Sequence, residues 1–435
     1  MTNFLGTDDW LKSLLPYKTL WLGFSGGLDS TVLLHLLATS PLIKEKVQAI
    51  HVHHGLSSRA DEWLRHCQAI CESLAVPLIV QRVSVDSSAN VEEGARMARY
   101  QVFSNWVRND DCLLLAHHRD DQAETLLLQL FRGAGVDGLA AMASVNSFAT
   151  GMLRRPLLGV SRADLENYAL LHQLSFVDDE SNQDIDYSRN FLRHDVFPLL
   201  RTKWPQVVKN LVRTVAHCQE AKKNLEALAA IDYPGLDAQG NRLSVAPLKN
   251  LAIERLANVL RVWFKINHVK LPSSSILNRI IQEVILANED AEPLVCWGYN
   301  QLRRFHQTLY LLRNEQFIPS ASCIAWLMLE RPLMIGHQDE KPVYVTLSTA
   351  GINYLKDRRV DVRFRQGGEL LVLHQQTKQL KTLFQEWQVP PWSRSAIPLL
   401  YVEDKLEAVI GFAVSDDFYR GCLDANPLTI TSVES

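Results

Sequence analysis

The order of apolar and polar residues predicts an α/β protein: a doubly wound, mostly parallel sheet followed by a helical domain and a small α+β C-terminal domain. Three observations lead there. From Leu20, short apolar runs alternate with longer amphipathic segments, the pattern of parallel strands joined by crossover helices. After about residue 200 that alternation fades, and Trp204 to Ala230 reads as one long helix closed by Asp232, Tyr233, Pro234 and Gly235. At 435 residues the chain is long enough for about three domains.

Taken in order, Leu20 to Phe24, Val47 to Val52, Leu78 to Arg82 and Cys112 to Ala116 read as strands, each a short apolar run between polar segments. Ser30 to Leu37, Ala60 to Leu74, Val91 to Val107 and Asp120 to Phe131 read as the helices that join or follow them. Further on, Ala252 to Phe264 and Ile276 to Ala287 have helical periodicity. Pro332 to Leu347 and Val360 to Phe364 are strand-like, and Lys378 to Trp387 is helical. The expected boundaries are 1–215 for the sheet domain, 216–238 for a linking helix, 239–315 for the helical domain and 316–435 for the last.

Composition narrows the class. Apolar residues make up 47% and charged residues 21%, which excludes a disordered or collagen-like chain. The seven cysteines are scattered with no Cys-x-x-Cys pair, so a disulfide framework and a zinc ribbon are both disfavoured and a reducing, cytoplasmic setting is expected. No stretch approaches the roughly 18 apolar residues of a membrane helix, and the N-terminus lacks the basic and apolar regions of a signal peptide.

The net charge of −3 does not announce a polyanionic partner, but charge is segregated: residues 1–220 carry −4 and the remainder +1. Arg255, Arg261, Lys265, Lys270 and Arg279 form one basic cluster, and Lys356, Arg358, Arg359, Arg363 and Arg365 another. Charge alone leaves each open between a solvated face and a surface for a polyanion.

The first strand runs straight into Ser25, Gly26, Gly27, Leu28, Asp29, Ser30 and Thr31, and then into a helix. Two glycines let the backbone turn tightly toward an anion, while the helix aims its first amides and positive dipole end at the same place. Phosphate or pyrophosphate is the ligand that suits this geometry. No lysine follows the glycines, so it is not a Walker loop. A carboxylate at Asp29 would repel phosphates unless a cation lay between, which points to magnesium.

Three more groups sit where strands end. His51, His53, His54 and Gly55 close the second strand; alternation sends neighbouring rings to opposite faces, which disfavours a metal site and favours nucleotide contact at His53. Asn90, Glu93, Arg96, Arg99 and Tyr100 follow the third, and the helical spacing of the two arginines lets them face an anionic substrate or a solvated, salt-bridged surface. His117, His118, Arg119, Asp120, Asp121 and Glu124 follow the fourth. Carboxylates crowded into one helical turn favour a metal or raise one pKa into general-base range. Helix capping accounts for one of these acids but not three.

These motifs resemble the N-type ATP pyrophosphatases of the PP-loop superfamily, in the branch that makes lysidine in tRNA. The resemblance covers most of residues 20 to 200 and rests on Ser25-Gly26-Gly27-x-Asp29-Ser30, His53-His54-Gly55, Glu93 to Tyr100 and Ala116 to Thr125. It extends through Arg132-Gly133-Ala134-Gly135, Arg155-Pro156-Leu157-Leu158, Ser181-Asn182 and Arg189 to Arg193. Phe364-Arg365, Gly367-Gly368-Glu369, Lys378 to Lys381 and Pro390 to Arg394 extend it into the terminal domain. The chain has Asp179-Glu180-Ser181-Asn182 where the family often has a proline at the second position.

The resemblance implies ATP and magnesium as cofactors, and free L-lysine and a minor isoleucine tRNA with a CAU anticodon as partners; a homodimer is a weak expectation. Lysine would be joined to C2 of the wobble cytidine after AMP is attached to the base. In that reading Ser25 to Ser30 holds pyrophosphate, Asp29 with Asp120 holds magnesium, and Asp121 with Glu124 anchors lysine. Arg96 steadies phosphate or the flipped base, and His117 lies close in sequence to the same site. Arg193, Arg255, Arg261, Lys265, Arg363 and Arg365 would meet the tRNA.

Three rivals are weaker. A tRNA-thiolating PP-loop enzyme generally wants paired cysteines. A non-catalytic tRNA-binding paralogue would not be expected to keep Asp29, Asp120, Asp121 and Glu124 together, and a small-molecule amidotransferase has no use for the basic regions.

Overall fold

A computed structural model describes residues 9–55, 59–84, 91–178, 180, 184–288, 291–313, 318–338, 341–422 and 428–432. Asn90, Ser181 and Asn182 lie outside them. The chain divides into two compact units, 1–225 and 226–435.

In the first unit, β1 (Leu20–Gly23), β2 (Val47–His53), β3 (Leu78–Arg82), β4 (Cys112–Leu114), β5 (Val145–Phe148) and β6 (Gly151–Arg154) form one sheet in the order β3-β2-β1-β4-β6-β5. All pairings are parallel except that of β5 with β6. Strand alternation divides β1 between two cores: Leu20 and Leu22 pack with Leu33 and Leu34 of the helix Leu28–Ala38, whereas Trp21 packs with Phe103 and Leu113 on the other face. Burial on both faces explains why these strands read as unbroken apolar runs. Each fully buried leucine contributes on the order of 2 kcal/mol, so Leu22 and Leu34, both 0% exposed, hold the layers together.

The sheet reverses direction between β1 and β4. From β1 the chain winds outward through β2 to β3, then returns to lay β4 against the other edge of β1, with Leu20 opposite Cys112. Ligands in open α/β sheets sit beyond the carboxyl ends of strands at such a switch point.

In the second unit, the helix Ile253–Ile266 buries Leu256, Val259, Leu260, Trp263 and Phe264 at helical spacing, and a second helical segment begins at Ser274–Arg279. The expected helices are present, and the structure adds a four-stranded antiparallel sheet of Arg242–Ser244, Thr308–Arg313, Asn300–Phe305 and Leu294–Trp297 to them. One of its hairpins turns at His306, which carries a positive φ of 51° without the glycine or asparagine that marks such turns in sequence. Residues 318 onward build antiparallel sheets around Val360–Phe364 and Pro398–Val402, with Lys341–Leu347 in a separate four-stranded sheet.

Candidate active site

The Ser25 loop leaves β1 and the His117 loop leaves β4, so neighbouring strands deliver both to the switch point. Within the first loop, Ser30 Oγ donates to Gly27 O at 3.0 Å and accepts from Ser25 N–H at 3.3 Å, while Thr31 Oγ1 donates to Gly26 O at 3.3 Å. These hydroxyls brace the loop. The helix Leu28–Ala38 starts at Gly27 with no side-chain cap, leaving its first amides available to an anion. Gly26 has φ +82°, and a Cβ there would lie 2.7 Å from Cys67 Sγ. Glycine is required on both counts.

Asp29 stands on the first turn of that helix. Arg162 Nη1 donates to both of its oxygens, at 2.8 and 3.0 Å. Across from it, His118 is only 2% exposed. Its Nε2 lies 3.8 Å from Asp29 Oδ2 and 3.6 Å from Asp121 Oδ2, so one imidazole links the two loops. Sequence reasoning left His118 and Arg162 off the site. His118 carried a signal as part of the histidine pair, whereas Arg162 is 133 residues from Asp29 and carried none.

The helix Arg119–Phe131 opens with a capping box: Asp121 Oδ2 accepts from His118 N–H at 2.9 Å, and His118 Nδ1 accepts from Asp120 N–H at 3.2 Å. Asp121 is thus the one acid of the three that capping accounts for. Glu124, one turn on, is 1% exposed and receives two bonds from Arg193, Nε to Oε1 at 2.9 Å and Nη2 to Oε2 at 3.0 Å. Arg193 Nη2 also lies 3.4 Å from Asp121 Oδ1. The guanidinium of Arg193, a residue expected to meet the tRNA, thus sits among the site's acids.

Burial drives these titrations apart. It raises Asp29 above the ordinary carboxylate range in spite of His118 and Arg162, and it raises Glu124 in spite of Arg193. Burial pushes Asp121 the same way, but His118, His117, the His118 N–H and Arg193 together hold it below the usual range. His117 is forced down to about 3, chiefly by burial and against the pull of Asp121. It is a neutral ring at physiological pH, and its Nδ1 is buried with no hydrogen-bond partner among the described residues. Arg96, exposed with its guanidinium 5.3 Å from the Tyr100 ring centre, lies near enough to bear on His117.

Asp120 lies 3.9 Å from His118 Nδ1, on the other side of the ring from Asp29, and has partners of its own. One of its oxygens accepts the Arg162 backbone N–H at 3.0 Å and the other accepts from Arg201 at 2.8 Å, so the carboxylate tethers the helix Arg162–Leu171. Asp29 is the carboxylate that stands on the first turn after the loop. Among the described residues no group of three or more His, Cys, Asp or Glu could hold a metal by itself. A single carboxylate beside uncapped helix amides does suit magnesium, which commonly completes its shell with water and substrate phosphates.

His53, expected at the nucleotide, is buried with Nε2 3.2 Å from Asp61 Oδ1, and Arg82 bonds the same carboxylate at 2.8 Å. The ring is committed to that cluster. Four residues of the second unit expected at the tRNA are ion-paired: Arg255 with Asp232, Lys265 with Glu226, Arg363 with Asp361 and Asp404, and Arg365 more loosely with Glu369 at 3.9 Å. Arg261 lies partly buried on the helix Ile253–Ile266.

A phosphate cradle at the switch point of a parallel sheet, facing a turn crowded with acids, defines a nucleotide-binding α/β protein of the PP-loop class. Residues 7–200 match the PP-loop domain. Residues 243–310 match the TilS substrate binding domain and residues 360–422 the TilS substrate C-terminal domain. The tRNA(Ile)-lysidine synthase of Legionella pneumophila strain Paris is 48% identical, with 100% of this chain and 99% of that one covered. Those of Coxiella burnetii and Serratia proteamaculans are 38% and 40% identical, with at least 92% of each chain covered. The chain belongs to the tRNA(Ile)-lysidine synthase family, and it is an enzyme.

Proposed function

We propose that the protein joins the side-chain amine of free L-lysine to C2 of the wobble cytidine in a tRNA(Ile) with a CAU anticodon, converting ATP to AMP and pyrophosphate. The observation that carries this reading is the pairing of an uncapped, hydroxyl-braced phosphate loop with the Asp121–Glu124 turn through the single imidazole of His118.

A ring carbonyl has no leaving group, so the base must first be activated. The C2 oxygen attacks the α-phosphate of ATP, its bond to phosphorus forms as the bond to pyrophosphate breaks, and the released pyrophosphate stays at the amides of Gly27 to Ser30. Magnesium held by Asp29 would offset the phosphate charge there. The lysine amine then forms a bond to C2, AMP leaves with the former carbonyl oxygen, and the amine proton must be removed.

Free lysine is almost wholly protonated near neutrality. Asp121, held ionised by the His118 backbone N–H and Arg193, anchors the ammonium group, and Glu124, whose burial raises its proton affinity, supports proton removal. Neutral His117 offers an unpaired ring nitrogen to the bound substrate. Moving the cytidine out of a single-stranded loop costs little because it is unpaired.

Purified protein with ATP, magnesium, labelled lysine and tRNA(Ile) bearing a CAU anticodon should put label into RNA. No label with folded protein and intact tRNA would overturn the reading.

A further inference from the structure

We propose that nucleobases flanking the reacting cytidine stack in an apolar cavity at the C-terminal end of the helix Arg119–Phe131, an inference that rests on the tRNA reading above. The cavity holds about 520 Å³, which suits a small planar ligand. Leu128 lies within it, Phe131, Phe191 and Ile185 wall it, and Arg132 and Asp186 supply charged groups at its lining. Phe131 is 69% exposed, Ile185 53% and Phe191 47%, while Leu192, Leu128 and Val196 in the same lining pack in a buried apolar cluster. Exposed aromatic surface gathered around one concavity marks a binding site more often than chance.

Continuity with the active site selects the occupant. Glu124, Leu128 and Phe131 follow one another at spacings of four and three, so they share one stripe of the helix. At about 1.5 Å per residue, Phe131 lies roughly 10 Å along the axis from Glu124, the rise of about three stacked nucleotides. The second wall has the same relation to the site. Phe191 stands between Arg189 and Arg193, whose guanidinium groups face Glu124 at 3.9 and 2.9 Å.

A strand whose reacting base lies at Asp121 and Glu124 would therefore bring its neighbours to Phe131 and Phe191. Every base has an aromatic face, and stacking on such side chains needs no particular sequence.

The test uses full-length protein and an anticodon stem-loop RNA in which 2-aminopurine replaces the adenosine after the reacting cytidine. Wild type should quench the fluorophore on binding. Phe131→Leu with Phe191→Leu keeps the apolar volume but removes the rings; it should lose the quench and weaken stem-loop binding about 5- to 150-fold, the range equivalent to 1–3 kcal/mol for one stacked base, with ATP binding unchanged. In turnover, KM for tRNA should rise while kcat changes little.

An unchanged quench and KM in the double variant would overturn the proposal. So would light scattering that shows a wild-type dimer dispersed by the substitutions, since the cavity would then be covered by a second copy. The titration requires no turnover, so a wild type that bound and quenched the stem-loop but made no lysidine would refute the proposed reaction and support the stacking site.

Discussion

Arg193 grips Glu124 through two parallel hydrogen bonds although 69 residues separate them. The bond pair joins the first turns of the helix Arg119–Phe131 to the segment after Ser188–Phe191, so one contact serves both the fold and the chemistry. Because Glu124 is 1% exposed, removing the guanidinium leaves a buried carboxylate without its closest cation.

Arg193→Ala should therefore destabilise the protein by about 1–3 kcal/mol. That is below the 3–5 kcal/mol of a fully buried pair because Arg193 is itself 38% exposed. Urea unfolding of the variant and of Arg193→Ala with Glu124→Gln checks the cause. The double variant should recover part of the loss, and no recovery would mean that the pair does not account for the effect.

Asp29→Asn and Asp121→Asn should separate the two half-reactions. The first removes the charge beside the phosphate loop and should abolish pyrophosphate release in the presence of tRNA. The second should abolish lysine transfer while tRNA-dependent pyrophosphate release persists. Near wild-type lysidine formation by Asp121→Asn would exclude its role as the lysine anchor.

Gly26→Ala forces an L-residue to φ +82° and drives its Cβ toward Cys67 Sγ. Strain of this kind costs about 1–3 kcal/mol, and ATP affinity should fall with it. Burial pushes the Cys67 thiol up to about 12, so the native thiol should resist alkylation near pH 8. Greater Cys67 labelling in the glycine variant would report that the loop has opened.

Acid should weaken the fold through its depressed histidines. His54 falls from 6.5 to about 4, through burial and then Arg99 and its histidine neighbours, and His117 falls to about 3, through burial above all. Between these values and 6.5 the unfolded chain binds more protons than the native one, so stability drops as pH falls below about 6.5. The raised carboxyls Asp29 and Glu124 act in the opposite sense, which makes a difference measurement the clean one. His54→Gln should lose less stability than wild type between about pH 7 and pH 5 in urea titrations; an equal loss would remove His54 from the account.

Arg261→Glu with Lys265→Glu should weaken tRNA binding at least tenfold and lessen its salt dependence, since each phosphate contact contributes to the counterion slope. ATP binding measured without tRNA should not change. Parallel loss of both would indicate misfolding instead.

Much of the catalytic unit is readable from order alone. The strands of β1 to β4 and the helices that follow them depend on apolar periodicity and on burial of both sheet faces, and those are local properties of the chain. The phosphate loop is equally local: Ser25, Gly26, Gly27, Asp29 and Ser30 lie within six residues, and the bonds of Ser25, Gly27 and Ser30 that brace it run within the same segment. The sheet of Arg242–Ser244 and Leu294 to Arg313 was not legible, because its strands are short and a turn such as His306 uses an uncommon residue.

Side-chain commitments were decided elsewhere. Sequence placed Asp29 in the phosphate loop and Asp120, Asp121 and Glu124 together in one helical turn. Tertiary structure then gave Asp29 to Arg162, Asp120 to Arg201, and Glu124 to Arg193, with His118 between Asp29 and Asp121. Those partners lie 133, 81 and 69 residues away. Periodicity fades over a few turns of chain, whereas ionic pairing depends only on distance through space. The sequence by itself therefore determined the class of catalyst and the glycine-rich loop, and the folded chain decided which charged partner each carboxylate meets.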